Sequence, residues 1–269
     1  DLYDEDMFIT GTLATTILEK NDMLIVVDCN RAGYTEYPEL VRRAQTLVVI
    51  DHHRQSADAI ENAHLSYIEP YSSSACEMVT EIMQYMVDSV KMKPYEADAL
   101  YSGIMMDTNN FSNRTGVRTF EAAAYLRRMG ADTVEVKRLF ASTMQAYQER
   151  CKVVSSAKIY RRCAICSVSQ KIDEIKIVSA QAADELLGIE DVDASFVFYY
   201  ESDNVVAYSA RSMGKLNVQI IMEKLGGGGH LTMAGAQTKG IDLEEGRARL
   251  LQAIDEYYDT LENKDEPKN

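Results

Sequence analysis

The stretch Leu47-Val48-Val49-Ile50-Asp51-His52-His53 joins a short, uninterrupted apolar run to three residues able to bind metal and move protons. An apolar run of this length reads as a strand buried in a parallel sheet. A second run, Met23-Leu24-Ile25-Val26-Val27, stops in the same way at Asp28. Helical patterns follow the strands. One covers 36–44 and begins near Pro38. Another covers 74–90, with Met78, Ile82, Tyr85 and Met86 at helical spacing. Two more cover 95–106 and 119–129, the last stopped by Gly130. Strand followed by helix predicts an α/β domain with a parallel sheet over residues 1–141.

A polar, helix-compatible stretch, 142–162, is expected to be a linker helix. Beyond it the pattern changes to a smaller mixed α/β domain over 163–262. Strands are expected at 164–168, 195–200 and 205–209, and helices at 179–187, 218–225 and 243–261. The charged tail, 263–269, is expected to be disordered.

The composition restricts the function. The 269 residues carry a formal charge of -14 and are 46% hydrophobic, so a core needs no staples. A protein that grips long nucleic acid by its phosphates usually carries a basic surface, so the acidity favours a small substrate. No apolar run approaches the ~18 residues that span a bilayer. The start, Asp1-Leu2-Tyr3-Asp4-Glu5-Asp6, is acidic where a secretory leader is basic and then apolar. Five scattered cysteines, Cys29, Cys76, Cys151, Cys163 and Cys166, suit a reducing compartment. Cys163-Ala164-Ile165-Cys166 has redox or zinc spacing but lies in an expected strand with no second pair. It reads as two buried structural cysteines.

In open parallel sheets, ligands bind beyond the carboxyl ends of the strands. Asp28 and Asp51-His52-His53 both fall at such ends, and neighbouring strands would bring them within reach of one ion. Asp107, closing an apolar helix, is a third candidate. Carboxylate and imidazole without thiolate suit manganese, magnesium or a similar cation. A lone aspartate at a strand end is more often a cap or turn residue. Two adjacent histidines there are harder to dismiss, since the chain has four in all.

The second half offers Gly226-Gly227-Gly228-Gly229-His230, a run that lets backbone amides approach an anion. Upstream, Ser209-Ala210-Arg211-Ser212 offers a guanidinium and two hydroxyls, and Asn217 stands at an expected helix start. A glycine run alone is more often a flexible loop. With Arg211 and His230 nearby in sequence, it is read as a phosphate pocket.

These motifs resemble the DHH phosphoesterase superfamily: Asp51-His52-His53 after a hydrophobic strand, and the glycine run of the associated C-terminal domain. The likeness takes in the strand ending at Asp28, the stretch Gly103-Ile104-Met105-Met106-Asp107-Thr108 and the stretch Arg114-Thr115-Gly116-Val117-Arg118-Thr119. Ser209-Ala210-Arg211-Ser212-Met213-Gly214-Lys215-Leu216-Asn217 with the glycine run is most similar to the membrane-tethered cyclic di-AMP phosphodiesterases of the GdpP type. The resemblance implies a DHH domain and a substrate domain with the active site in the cleft between them. It implies a two-metal site, with Mn2+ expected and Mg2+ or Co2+ as alternatives. Asp28 would bridge the ions, His52 and Asp107 would complete the ligands of the second ion, His53 would sit beside the scissile phosphate, and Asp51 would orient a histidine from behind. Ser209, Arg211, Ser212, Asn217, Gly228, Gly229 and His230 would hold the nucleotide. Tyr71, Ser72, Ser73 and Ser74 resemble a loop and helix cap that, in the family, lies near the active site.

The activity expected is hydrolysis of cyclic di-AMP to linear pApA. The alternatives are a nanoRNase or bisphosphate-nucleotide phosphatase of the same superfamily, and a non-catalytic nucleotide-binding module. The family's first motif, of the type His-x-x-Pro-Asp-x-Asp-Ala, is absent from the 269 residues. The expectation is therefore a fragment, inactive by itself or holding at most one weakly bound ion. Its parent is expected to be membrane-anchored, with this part at the cytoplasmic face. A homodimer is allowed for.

Overall fold

The computed structural model describes residues 7–86 and 91–265, with side chains through Leu261. The chain divides into two compact units at the Ala141/Ser142 peptide.

In the first unit, strands β1 (Met23–Val27), β2 (Thr46–Asp51) and β3 (Leu65–Ile68) form a parallel sheet in the order β1-β2-β3. The first strand follows α1 (Gly11–Ile17), which buries none of its residues. Helix α2 (Pro38–Arg43) starts on Pro38 and returns the chain from β1 to β2. Val26, Val41, Leu47 and Val49 make the core under this sheet. Uninterrupted apolar runs predict burial on both faces, but only alternate residues are covered. Leu47 and Val49 are 1% exposed, whereas Met23, Ile25 and Val27 are 51–58% exposed, because nothing among the described residues packs on their face.

Four helices complete the unit: α3 (Ala75–Tyr85), α4 (Pro94–Asp107), α5 (Val117–Arg128) and α6 (Thr133–Leu139). Ala97, Ile104, Ala122, Leu126 and Ala131 interlock among them. Arg118 on α5 grips Glu81 on α3 through two hydrogen bonds of 2.7 and 2.6 Å. The helix expected over 74–90 ends at Tyr85, and 87–90 lie outside the described residues. Helices α1 and α6 were not foreseen. Each is only seven residues long, too short for periodicity to register.

The second unit opens with α7 (Met144–Ser155), which packs on α8 (Ile175–Leu186). The expected linker helix is thus shorter than 142–162 and belongs to this unit, since β4 (Lys158–Tyr160) already pairs with β5 (Cys163–Val168). With β6 (Ala194–Ser202), β7 (Val205–Ser212), β8 (Gly228–Gly229) and β9 (Met233–Lys239) these form one mixed sheet, ordered β4-β5-β6-β7-β9-β8. Helices α9 (Val218–Lys224) and α10 (Leu243–Asp265) cover one face, around Phe196, Phe198, Ile221 and Ile254. Helices α7 and α8 cover the other, around Val153, Val178, Leu186 and Val197. Cys163 and Cys166 fall in these two different cores, so they face opposite ways and cannot act as a pair. Burial pushes the Cys163 thiol up to about 12 and the Cys166 thiol in the same direction. Helix α10 runs on to Asp265, which corrects the expectation of disorder for 263–265; residues 266–269 lie outside the described residues.

The glycine run has a packing reason. A Cβ on Gly229 would come within 2.5 Å of Ala234 Cα and Met233 O, and one on Gly227 would strike Gly235 O and sit 2.5 Å from Ala236 Cα. These glycines let the β8 segment lie against β9. Gly229 also has φ +148°, which L side chains rarely adopt. Gly229→Ala is therefore expected to destabilise the protein by about 1–3 kcal/mol, as overpacking does. A urea unfolding midpoint unchanged from the parent protein would refute this.

Candidate metal centre

The register of β1 on β2 builds the site. Val27 pairs with Ile50, so Asp28 leaves β1 beside Asp51, the last residue of β2. The Asp28 amide donates to the Ile50 carbonyl at 3.0 Å, and Asp28 then turns with φ +60°. That left-handed conformation is uncommon outside glycine, though aspartate tolerates it better than most residues.

Asp51 is fully buried and acts as an anchor. Its Oδ1 accepts from the His53 amide at 3.2 Å and from His53 Nδ1 at 2.7 Å. The imidazole thus carries its proton on Nδ1 and keeps the Nε2 lone pair free. Asp51 Oδ2 is buried without a hydrogen-bond partner among the described residues.

His52, 5% exposed, is held the other way. Its Nδ1 donates to the Ser72 carbonyl at 3.4 Å. Its Nε2 lies 3.4 Å from Asp28 Oδ1 and 3.7 Å from Asp107 Oδ2. Asp28, His52 and His53 each offer a ligand atom, all within 4.8 Å of one another. Burial raises the Asp107 pKa and the Asp28 charge pushes the same way, while His52 pulls it down. Packed carboxylates that repel one another in this manner accept a cation readily. The donors are oxygen and imidazole nitrogen with no thiolate, a set that fits a hard-to-borderline divalent ion.

Beneath His52 lies a polar support in the 72–74 turn, which by sequence reads as a loop and helix cap near the active site. Ser74 does cap α3, accepting from the Glu77 amide at 3.0 Å. The Glu77 side chain, however, is 2% exposed and takes hydrogen bonds from Ser72 Oγ at 3.0 Å and Ser73 Oγ at 2.5 Å. It ties down the turn whose carbonyl fixes His52. The signal was legible as a glutamate three residues after a serine cap, but a capping box aims that glutamate at the cap's own amide. The three-dimensional turn of 72–74 redirects it.

In the second unit, Arg211 sits on β7 with Nε 3.0 Å from Asp184 Oδ1 and Nη1 donating to Ser209 Oγ and the Ala210 carbonyl. Its Nη2 makes no hydrogen bond among the described residues. Ser212 is buried and its hydroxyl faces the Leu216 and Leu231 carbonyls. Asn217 caps α9. Gly228 and Gly229 pair with β9, and His230 is exposed in the turn that follows.

Residues 4–104 match the model of the DHH family, N-terminal domain, and residues 162–260 match that of the DHHA1 domain. The chain is 43% identical over 255 residues to the cyclic-di-AMP phosphodiesterase GdpP of Bacillus subtilis, covering 94% of this chain and 39% of that protein. It is 41% identical over 251 residues to the cyclic-di-AMP phosphodiesterase PdeA of Listeria monocytogenes, covering 93% and 38%. The chain thus spans about two fifths of the length of these curated relatives. A solved structure of an exopolyphosphatase-related protein from Bacteroides fragilis shares the fold, with a TM-score of 0.79 over 93% of this chain and 76% of that one, at 23% identity.

The Glu77 support generates a prediction. Glu77→Ala leaves two buried hydroxyls unpaired and frees the turn that fixes His52. Partners one step behind a metal ligand typically contribute ten- to a hundredfold in affinity, so Mn2+ binding by calorimetry is expected to weaken by roughly that factor. Affinity equal to that of the parent protein would show that the turn holds His52 without Glu77.

Proposed function

Because the chain belongs to the DHH/DHHA1 two-domain superfamily and is closely related to the GdpP and PdeA cyclic-di-AMP phosphodiesterases, we propose that it is the catalytic part of a metal-dependent phosphodiesterase that opens cyclic di-AMP to linear pApA. The observation that carries this reading is the convergence of Asp28, His52, His53 and Asp107 at the ends of β1, β2 and α4.

Asp28, His52 and Asp107 would hold the divalent ions, two Mn2+ in the complete enzyme, and Mg2+ or Co2+ would suit the same donors. Divalent ions held there supply positive charge against the reacting phosphate and lower the pKa of a water. His53, with its proton fixed on Nδ1 by Asp51, turns its other nitrogen to the substrate and can take or return a proton there. Asp51 holds that ring and does not itself react. The chain's acidity suits a dinucleotide rather than a long nucleic acid. In the complete protein, this part is assigned to the cytoplasmic side of a membrane anchor. No helix among the described residues is long and apolar enough to cross a membrane.

The second unit is assigned to nucleotide binding. Ser209, Ser212, Asn217, Gly228 and Gly229 shape the binding strand and turns. Arg211 Nη2 and the exposed His230 are the donors left for an anion.

In the complete protein, Mn2+-dependent hydrolysis of cyclic di-AMP is expected, with Asp28→Asn and His52→Ala each abolishing it while the circular dichroism spectrum stays unchanged. Full activity in excess chelator would sink the proposal. His230→Ala is expected to cost about 1.5–3 kcal/mol of substrate binding, the range for a hydrogen bond to a charged group, or roughly ten- to a hundredfold in kcat/KM. Arg211→Ala should cost the same and also lower stability, because Asp184 loses its partner. Unaltered turnover in both variants would place the substrate elsewhere.

A further inference from the structure

A recess of about 630 Å3 opens between the turn after β3 and the loop joining α4 to α5, bounded by Tyr71, Ser72, Phe111, Arg114, Thr115 and Phe120. It adjoins the metal centre at two points. Ser72 supplies the carbonyl that holds His52. The loop bearing Phe111 and Arg114 leaves α4 directly after Asp107, and the Arg114 charge is felt at that carboxylate.

The loop is held in an unusual shape. Asn109, Asn110, Phe111 and Arg114 have φ of 48, 56, 61 and 51°. A bulky residue such as phenylalanine rarely takes this conformation, which persists only where the surroundings enforce it and is found at ligand clamps. Thr108, fully buried, provides the enforcement. Its carbonyl accepts from the Ser112 and Asn113 amides at 2.9 and 2.8 Å, and its Oγ1 accepts from the Phe111 amide at 3.0 Å. Phe111 is thereby stacked on Phe120, with centroids 5.7 Å apart and planes 15° from parallel, and steadied behind by Tyr101 at 5.8 Å. Phe120 nonetheless stays 57% exposed and Tyr71 93% exposed. Arg114 is exposed too and forms no ion pair among the described residues, in a chain with 42 acidic side chains against 28 basic ones.

An open aromatic platform beside an unpaired guanidinium matches one ligand class, a planar base joined to a phosphate. Every nucleobase has a face to stack, and a guanidinium takes phosphate oxygens in pairs. The volume suits one nucleotide unit and not a polymer. We propose that this recess is the subsite for the nucleoside attached to the reacting phosphate, its base stacked on Phe120 and its phosphate paired with Arg114. The assignment rests on the phosphodiesterase reading of the adjacent centre and deepens it, naming the side chains that would hold one nucleotide unit of that substrate.

The test is calorimetric titration of the chain with 5′-AMP and with ribose 5-phosphate, each with and without Mn2+, for Phe120→Ala, Phe120→Trp and Arg114→Gln. Phe120 and Arg114 are exposed, so folding should survive, and circular dichroism checks it. Phe120→Ala is expected to weaken AMP on the order of tenfold, as loss of one stacked base does, and to leave ribose 5-phosphate unchanged. Phe120→Trp should restore AMP binding, and Arg114→Gln should weaken both ligands. Failure of the parent chain to bind AMP, or affinities within about twofold of the parent in Phe120→Ala and Arg114→Gln, overturns the subsite. Mn2+ affinity, measured without nucleotide, should be the same in both Phe120 variants; absence of Mn2+ binding by the complete protein strikes the functional reading instead.

Discussion

The parallel register of β1 on β2 is the constraint from which the centre follows. It places Val27 opposite Ile50 and so delivers Asp28 and Asp51 side by side. Period-two alternation then does the rest, since a slip of one residue would send Asp51 to the opposite face of the sheet. Leu47, Val49 and Asp51 share the buried face, so the register that packs the core also buries the carboxylate that orients His53. Core and chemistry are specified by one alignment.

Two adjacent histidines in a single turn are given different tasks by different acceptors. A carboxylate takes the Nδ1 proton of His53, and a backbone carbonyl takes that of His52. The first pairing sits inside the motif itself. The second depends on a turn that Glu77 ties down from the next helix. Burying an acid is costly unless its oxygens are satisfied, and both Glu77 oxygens are met by hydroxyls. The buried Asp51 leaves one oxygen unmet, which is the kind of exception that functional centres keep.

Much of this was legible in the sequence. The apolar runs ending at Asp28 and at Asp51 read as strands because their length and composition allow little else. The helices with long periodic faces, such as α3 and α8, were found with boundaries a few residues out. What escaped depended on contacts between distant segments. Glu77 looks like an ordinary helix residue until the 72–74 turn is folded over it. The glycine run reads as a ligand loop, yet Gly227 and Gly229 are fitted to β9. Arg211 reads as a free cation, and its bond to Asp184 on α8 cannot be inferred from either segment alone. The short α1 and α6 lacked the length for a pattern.

Among the described residues β1 pairs with β2 alone, and its Met23, Ile25 and Val27 are half exposed. In terms of local opening, such a strand stands near the low end of the stability spectrum, while the covered β2 stands near the top. Asp28 stands at the tip of β1, joined to β2 by its amide bond to the Ile50 carbonyl. A ligand that binds only the closed form stabilises it by mass action. An ion shared by Asp28 and His52 would fasten the end of β1 to the turn after β2, making metal capture a local act of folding.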